Sequence, residues 1–167
     1  KQVKLFEVGS VFDEHRNESI NMAFAFSGQS TADSIVNHGK PDAIGFADFV
    51  QNISNVIGTF ELRPVELTHA LAHPYQSAEI VVNDNVMGTL FKVHPSIQKE
   101  YDLESTYLCE ISFDALKYNL EVFSSYSKYQ ASYRDLSVVI PKALRYSELR
   151  DVIQEAQSAE VVRFYPV

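Results

Sequence analysis

Seven residues set the terms on which this chain can fold. In Ile20-Asn21-Met22-Ala23-Phe24-Ala25-Phe26 a large apolar side chain returns at every second position. That is the period of a β-strand with one face buried, and no helical register gathers the same residues on one side. A lone strand is not stable in water, so neighbours must come from elsewhere in the chain. Val3, Leu5 and the Val8–Phe12 stretch supply the first, joined to it by the polar loop Asp13-Glu14-His15-Arg16-Asn17-Glu18. Further strand-like runs follow at Phe60–Leu67, Ala78–Val82, Val86–Val93 and Thr106–Phe113. Asn83-Asp84-Asn85 separates two of them and predicts a tight turn, because Asn and Asp tolerate left-handed backbone. One segment breaks the pattern: Phe46, Phe49, Val50, Ile53, Val56 and Ile57 recur at helical spacing. Asp42 after Pro41 is placed to cap that helix and Gly58 to end it. The expected architecture is α+β: an antiparallel sheet with the helix on one face, and an inner face of Phe24, Phe26, Ile80, Val82, Leu90, Leu108 and Ile111.

The 167 residues, 46% hydrophobic and 22% charged, have the composition of a globular protein. Eleven Phe and nine Tyr supply a core, which excludes a disordered chain. No apolar run reaches the length of a membrane-spanning helix, and Lys1–Glu7 has no signal-peptide h-region. The absence of an initiating Met suggests a piece of something longer. Cys109 is the single cysteine, so no intrachain disulfide forms; within Tyr107-Leu108-Cys109-Glu110-Ile111 it reads as a small buried hydrophobe. A reducing cytoplasm is the expected compartment.

Net charge is −8, which argues against binding nucleic acid over the whole surface. The charge is uneven. Residues 1–123 carry 8 Lys and Arg against 17 Asp and Glu, net −9; residues 124–167 carry 6 against 5, net +1. The shift falls at Ser124-Ser125-Tyr126-Ser127-Lys128-Tyr129, which places a domain boundary between 123 and 124. The tail then reads strand, helix, strand, over Leu136–Ile140, Ser147–Ala156 and Val161–Tyr165. Glu148 and Asp151 mark the helix start.

Catalytic constellations are missing. His69 and His73 have the i, i+4 spacing of a helical metal pair, but Pro74 forces His73 towards extended backbone and no third ligand is near, so a turn role is expected. His94-Pro95 reads as a strand ending in a helix start. Ser27-Gly28-Gln29-Ser30 lacks the nucleophile-elbow frame, and the six scattered glycines form no phosphate loop. Asp13, Glu14 and Glu18 read as a solvated loop, and the glycosylation patterns at Asn17 and Asn52 as chance. In the tail, Lys128, Arg134 and Arg145 interleave with Tyr126, Tyr129 and Tyr133, as in binders of single strands and loops. Two other classes remain open: a free-standing acidic ligand-binding or regulatory module, and a hydrolase using His73 or His94.

Four stretches resemble one family, the beta subunit of bacterial phenylalanine–tRNA ligase. Leu5-Phe6-Glu7-Val8-Gly9-Ser10-Val11-Phe12 is similar to its Leu-Phe-Glu-Ile-Gly-x-Val-Phe strand, and His73-Pro74-Tyr75-Gln76-Ser77-Ala78 to its His-Pro-x-x-Ser-Ala turn. Met87–Pro95 resembles its Ile-Gly-x-Leu-Gly-x-Leu-His-Pro strand, with Phe91 where the family usually has Gly. Arg134-Asp135-Leu136-Ser137-Val138-Val139 resembles the run that opens its anticodon-binding domain; Tyr133 replaces the first arginine of that run and Tyr129-Gln130 the preceding Phe-Pro. The resemblance implies a C-terminal fragment of that subunit. Residues 1–123 would be a class II synthetase-like catalytic fold without catalytic residues, and residues 124–167 the first half of a ferredoxin-like anticodon-binding domain. It implies a subunit scaffold and tRNA-docking role in charging tRNA(Phe), with Lys128, Arg134 and Arg145 on phosphate. ATP and Mg2+ would belong to the whole enzyme, no cofactor or metal to this segment, and the alpha subunit would be partner in an alpha2beta2 heterotetramer.

Overall fold

Asp13 organises the first turn. Its carboxylate accepts the backbone N–H groups of His15 and Asn17, both at 2.8 Å, and the Asn17 side-chain amide at 2.7 Å. Those bonds, from Asn17 above all, hold its carboxyl below the usual value. The turn joins β1 (Gln2–Phe12) to β2 (Glu18–Gly28), an antiparallel hairpin in the expected place. The computed structural model describes residues 1–116, 128–158 and 160–165. The chain divides into two units, Lys1–Glu121 and Val122–Val167.

In the first unit α1 (Phe46–Ile57), β3 (Glu61–Pro64), β4 (Ala72–Val82), β5 (Asn85–Val93), α2 (Pro95–Glu100) and β6 (Thr106–Ser112) follow the hairpin. A 3₁₀ turn, Phe113–Leu116, succeeds β6. The six strands form one antiparallel sheet in the order β1-β2-β6-β5-β4-β3. This is the α+β arrangement expected, with local differences that have physical causes. β3 is short and ends in Pro64, on the sheet's outer strand where a missing N–H is tolerated; one more backbone bond to β4 follows it, from the Val65 N–H to the Ser77 carbonyl at 3.3 Å. β4 starts earlier than expected: His73-Pro74 is absorbed by an irregularity in register between Ala72 and Ser77, not a free turn. Asn83 and Asp84 do adopt positive φ, 49° and 62°, between β4 and β5.

The first turn of α1 is closed by Asp48, whose Oδ2 accepts the Gly45 N–H at 2.9 Å; Gly45, not Asp42, is the N-cap. Gly58 ends the helix at φ 83°, donating to the Ser54 carbonyl at 2.9 Å. The helix lays Phe49 and Ile53, both 0% exposed, onto one sheet face. Phe49 meets Phe26 edge to face at 5.2 Å and stacks on Tyr107 at 5.6 Å. Met22, Phe24, Ile80, Leu90 and Ile111 complete this core. Cys109 is buried there as expected; burial, with the nearby Glu110 charge, pushes its thiol up to about 12 and keeps it protonated.

Leu108 is the exception. In β6 it is Tyr107, Cys109 and Ile111 that face the helix, so Leu108 points to the opposite face, half-buried between Ala25 and Phe91. An unbroken apolar run conceals which parity faces in. Leu108→Ala should therefore cost about 1–2 kcal/mol against roughly 2–5 for Ile111→Ala. Denaturant melts of both variants check this; equal costs would contradict the face assignment.

Among the described residues of the second unit one element forms, α3 (Tyr146–Ala156), with the Arg145 N–H donating to Glu148 Oε2 at 2.8 Å. The strands expected at Leu136–Ile140 and Val161–Tyr165 are not strands; both stretches run irregularly. A strand is held by its neighbours' ladder bonds, and among the described residues neither stretch has a partner strand. The boundary expected between 123 and 124, with Ser124–Ser127 and Tyr126, lies outside the described residues.

Candidate functional site

The large residues of β2 are committed to the helix-covered face, which turns Ala23 and Ala25 to the other one. Two small side chains in mid-sheet leave a hollow. Pairing sets two rows across it: Glu7, Ala23, Glu110 and Thr89 in one, Leu5, Ala25, Leu108 and Phe91 in the next. The segment between β3 and β4 supplies a wall of Leu67, His69 and Leu71, with the His69 ring tilted against Phe91 at 6.2 Å. The hollow is open to solvent, with a volume of about 570 Å³, within the range of small-molecule sites. Its charged side chains are two carboxylates, and Asn21 Nδ2 fixes one by donating to Glu110 Oε1 at 2.8 Å. Among the described residues no Lys or Arg lines it.

That donor set decides what the hollow accepts. A triphosphate needs guanidinium or ammonium groups, and Glu7 and Glu110 would repel it. The residues therefore do not fit ATP. Among the described residues no group of three His, Cys, Asp or Glu side chains gathers as a metal site.

The histidines act locally. His69 Nδ1 accepts the Leu71 N–H at 3.3 Å in the turn before β4, and His73 Nδ1 accepts the Tyr75 N–H at 3.2 Å within the irregular start of β4. His94 caps α2 by accepting the Ser96 N–H at 3.2 Å, with Pro95 at the first helical position, as its sequence predicts. Of these three only His69 reaches the hollow.

The three tail cations stand on separate pieces of the second unit, all exposed. Lys128 begins its described part, and Arg145 is the N-cap of α3. Arg134 Nη1 turns back to donate to the Tyr133 carbonyl at 2.7 Å. Tyr129 and Tyr133 are exposed beside them. Sequence reasoning overlooked Arg163, whose guanidinium lies 5.6 Å from the Tyr165 ring centre. It also overlooked the hollow, whose signal was the Ala-x-Ala interleaved with Met22, Phe24 and Phe26.

The family model described as the phenylalanyl tRNA synthetase beta chain CLM domain matches residues 1–113. The match lies in the N-terminal portion of this chain, and supports the family without supporting a C-terminal placement in the subunit. Among curated relatives, the phenylalanine–tRNA ligase beta subunit of Sulfurimonas denitrificans is 50% identical over 165 residues, 99% of this chain and 21% of that protein. That of Campylobacter jejuni strain RM1221 is 37% identical over 93% of the chain and 20% of the relative. That of Helicobacter pylori strain J99 is 32% identical over the whole chain and 22% of the relative. The chain thus spans about a fifth of the length of these relatives. Among solved structures, a pyrrolysyl tRNA synthetase from Desulfitobacterium hafniense aligns over 70% of this chain and 41% of its own, at 13% identity and TM-score 0.43. Among the described residues no helix is long and apolar enough to cross a membrane.

Proposed function

The chain belongs to the phenylalanyl tRNA synthetase beta chain family, and from that premise we propose that it is a non-catalytic scaffold and tRNA-docking segment of a phenylalanine–tRNA ligase. The observation that carries the reading is similarity along nearly the whole chain to beta subunits, joined to a sheet face whose chemistry refuses a nucleotide. In this reading residues 1–123 are the class II synthetase-like part without catalytic residues, and residues 124–167 belong to the anticodon-binding part. Amino-acid activation with ATP and Mg2+ falls to the alpha subunit, the partner in an alpha2beta2 assembly in the cytoplasm. Lys128, Arg134 and Arg145 make phosphate contacts with tRNA(Phe), which the local surplus of positive charge favours.

One set of assays tests this. The purified chain alone should give no phenylalanine-dependent pyrophosphate exchange. It should bind the anticodon stem-loop of tRNA(Phe) weakly, losing roughly 20–40-fold in affinity between about 50 and 200 mM salt, as three phosphate contacts require. Changing all three cations to Gln should flatten that slope. Exchange by the chain alone, or tight binding that ignores both salt and the triple substitution, overturns the assignment.

A further inference from the structure

We propose that the hollow on the open sheet face is a binding site for a small organic ammonium ion with an apolar body, of the arylalkylamine class. The inference is independent of the tRNA-ligase reading, since it rests on the geometry of the first unit alone.

The two rows divide the labour. Glu7 and Glu110 are each one strand from Ala23, so their backbones stand roughly 10 Å apart across a floor with no side chain beyond a methyl. A cation over Ala23 lies between two carboxylates. One step along the strands, roughly 7 Å away, lies the row of Leu5, Ala25, Leu108 and Phe91, which offers contact to an apolar body of about that reach. Phe91 adds an aromatic ring to that row, a surface for an aromatic body. Carboxylate and phosphate ligands meet the reverse: two like charges and, among the described lining residues, no Lys or Arg to offset them. The neutral donors near the hollow, the Thr89 hydroxyl and the His69 ring, whose Nδ1 accepts the Leu71 N–H, carry no charge to offset them. Charge thus selects the ammonium, and the hydrophobic row selects its body.

The test uses the whole 167-residue chain, ¹⁵N-labelled, and three probes that share one body: 2-phenylethylammonium, neutral 2-phenylethanol and anionic 3-phenylpropanoate. At constant ionic strength, 2-phenylethylammonium should shift the amides of Ala23, Thr89 and Leu108 saturably, with a dissociation constant of order millimolar for so small a ligand. The alcohol should bind several-fold more weakly and the propanoate not measurably. Glu7→Gln and Glu110→Gln should each weaken the ammonium by roughly two- to fivefold, the size of a partly exposed ion pair, and together by about tenfold. Ala23→Leu, which fills the floor, should abolish binding; the unchanged fold of each variant is read from its remaining amide shifts. Equal binding of the alcohol or the propanoate overturns the proposal. So does no saturation by about 50 mM ammonium, or shifts that persist in Ala23→Leu and in the double glutamine variant.

Discussion

Phe49→Ala should destabilise the first unit by about 3–5 kcal/mol and lower its melting temperature by roughly 10–20 °C. Phe49 joins α1 to β2 and β6: it is 0% exposed, edge-on to Phe26 and stacked on Tyr107. Its removal leaves a void bounded by a helix and a sheet, and the approach of α1 is restrained where the chain entering it is tied to the end of β2, the Ile44 N–H donating to the Gly28 carbonyl at 2.8 Å. The cost therefore includes the cavity as well as the lost transfer energy. Tyr75→Ala is the matched control, a large aromatic that is 90% exposed and should leave the melt unchanged. A fall in Phe49→Ala no larger than in Tyr75→Ala would mean that α1 does not pack on this sheet.

Gly88→Val should be worse still for the ladder, because the obstacle is backbone. A Cβ at position 88 would lie 2.2 Å from the Glu110 carbonyl oxygen and 2.6 Å from the Ile111 Cα. Neither can rotate away, so β5 and β6 must separate or slip. The backbone of Gly88 is in an ordinary strand conformation, so lack of space, not φ, demands glycine here. A loss of about 4 kcal/mol or more is expected, with soluble yield falling accordingly. Hydrogen exchange localises the effect: amides of β5 and β6 should lose protection before those of the β1–β2 hairpin. Retained protection across β5 and β6 would show that the sheet tolerates a side chain at 88.

The same residues explain what the sequence could and could not reveal. Ile20–Phe26 alternates cleanly because one face of β2 is buried and the other is not, so strand, partner loop and inward parity were all readable. Val86–Val93 was readable as a strand from its apolar residues, and the Asn83-Asp84 turn from the ease with which those residues take positive φ. Tyr107–Ile111 was readable as a strand but not as to face, since Leu108 is apolar on the outer side where it floors the hollow. The hollow itself comes from pairing: Glu7, Ala23 and Glu110 are far apart in the chain, and only the register of β1, β2 and β6 aligns them. In the tail, apolar β-formers at Leu136–Ile140 and Val161–Tyr165 signalled strands correctly as propensity, yet propensity without a ladder partner leaves irregular chain. Ser147–Ala156 needed no partner to close its hydrogen bonds, and it is the element that formed.

The two outer strands of the sheet differ in a way that bears on self-association. β3 pairs over four residues and ends in Pro64, whereas β1 runs eleven residues with every side chain exposed. Backbone groups able to template another chain are therefore concentrated on one side only. Two molecules joined β1 to β1 would present nothing but their short, proline-ended strands outward. Such a union is self-limiting: it closes as a symmetric pair, and a third copy finds no comparable place to add. A head-to-tail contact, which propagates into fibres, would have to use β3 as its acceptor at every step. The asymmetry of the sheet thus separates dimerisation from polymerisation, with Pro64 as the terminator.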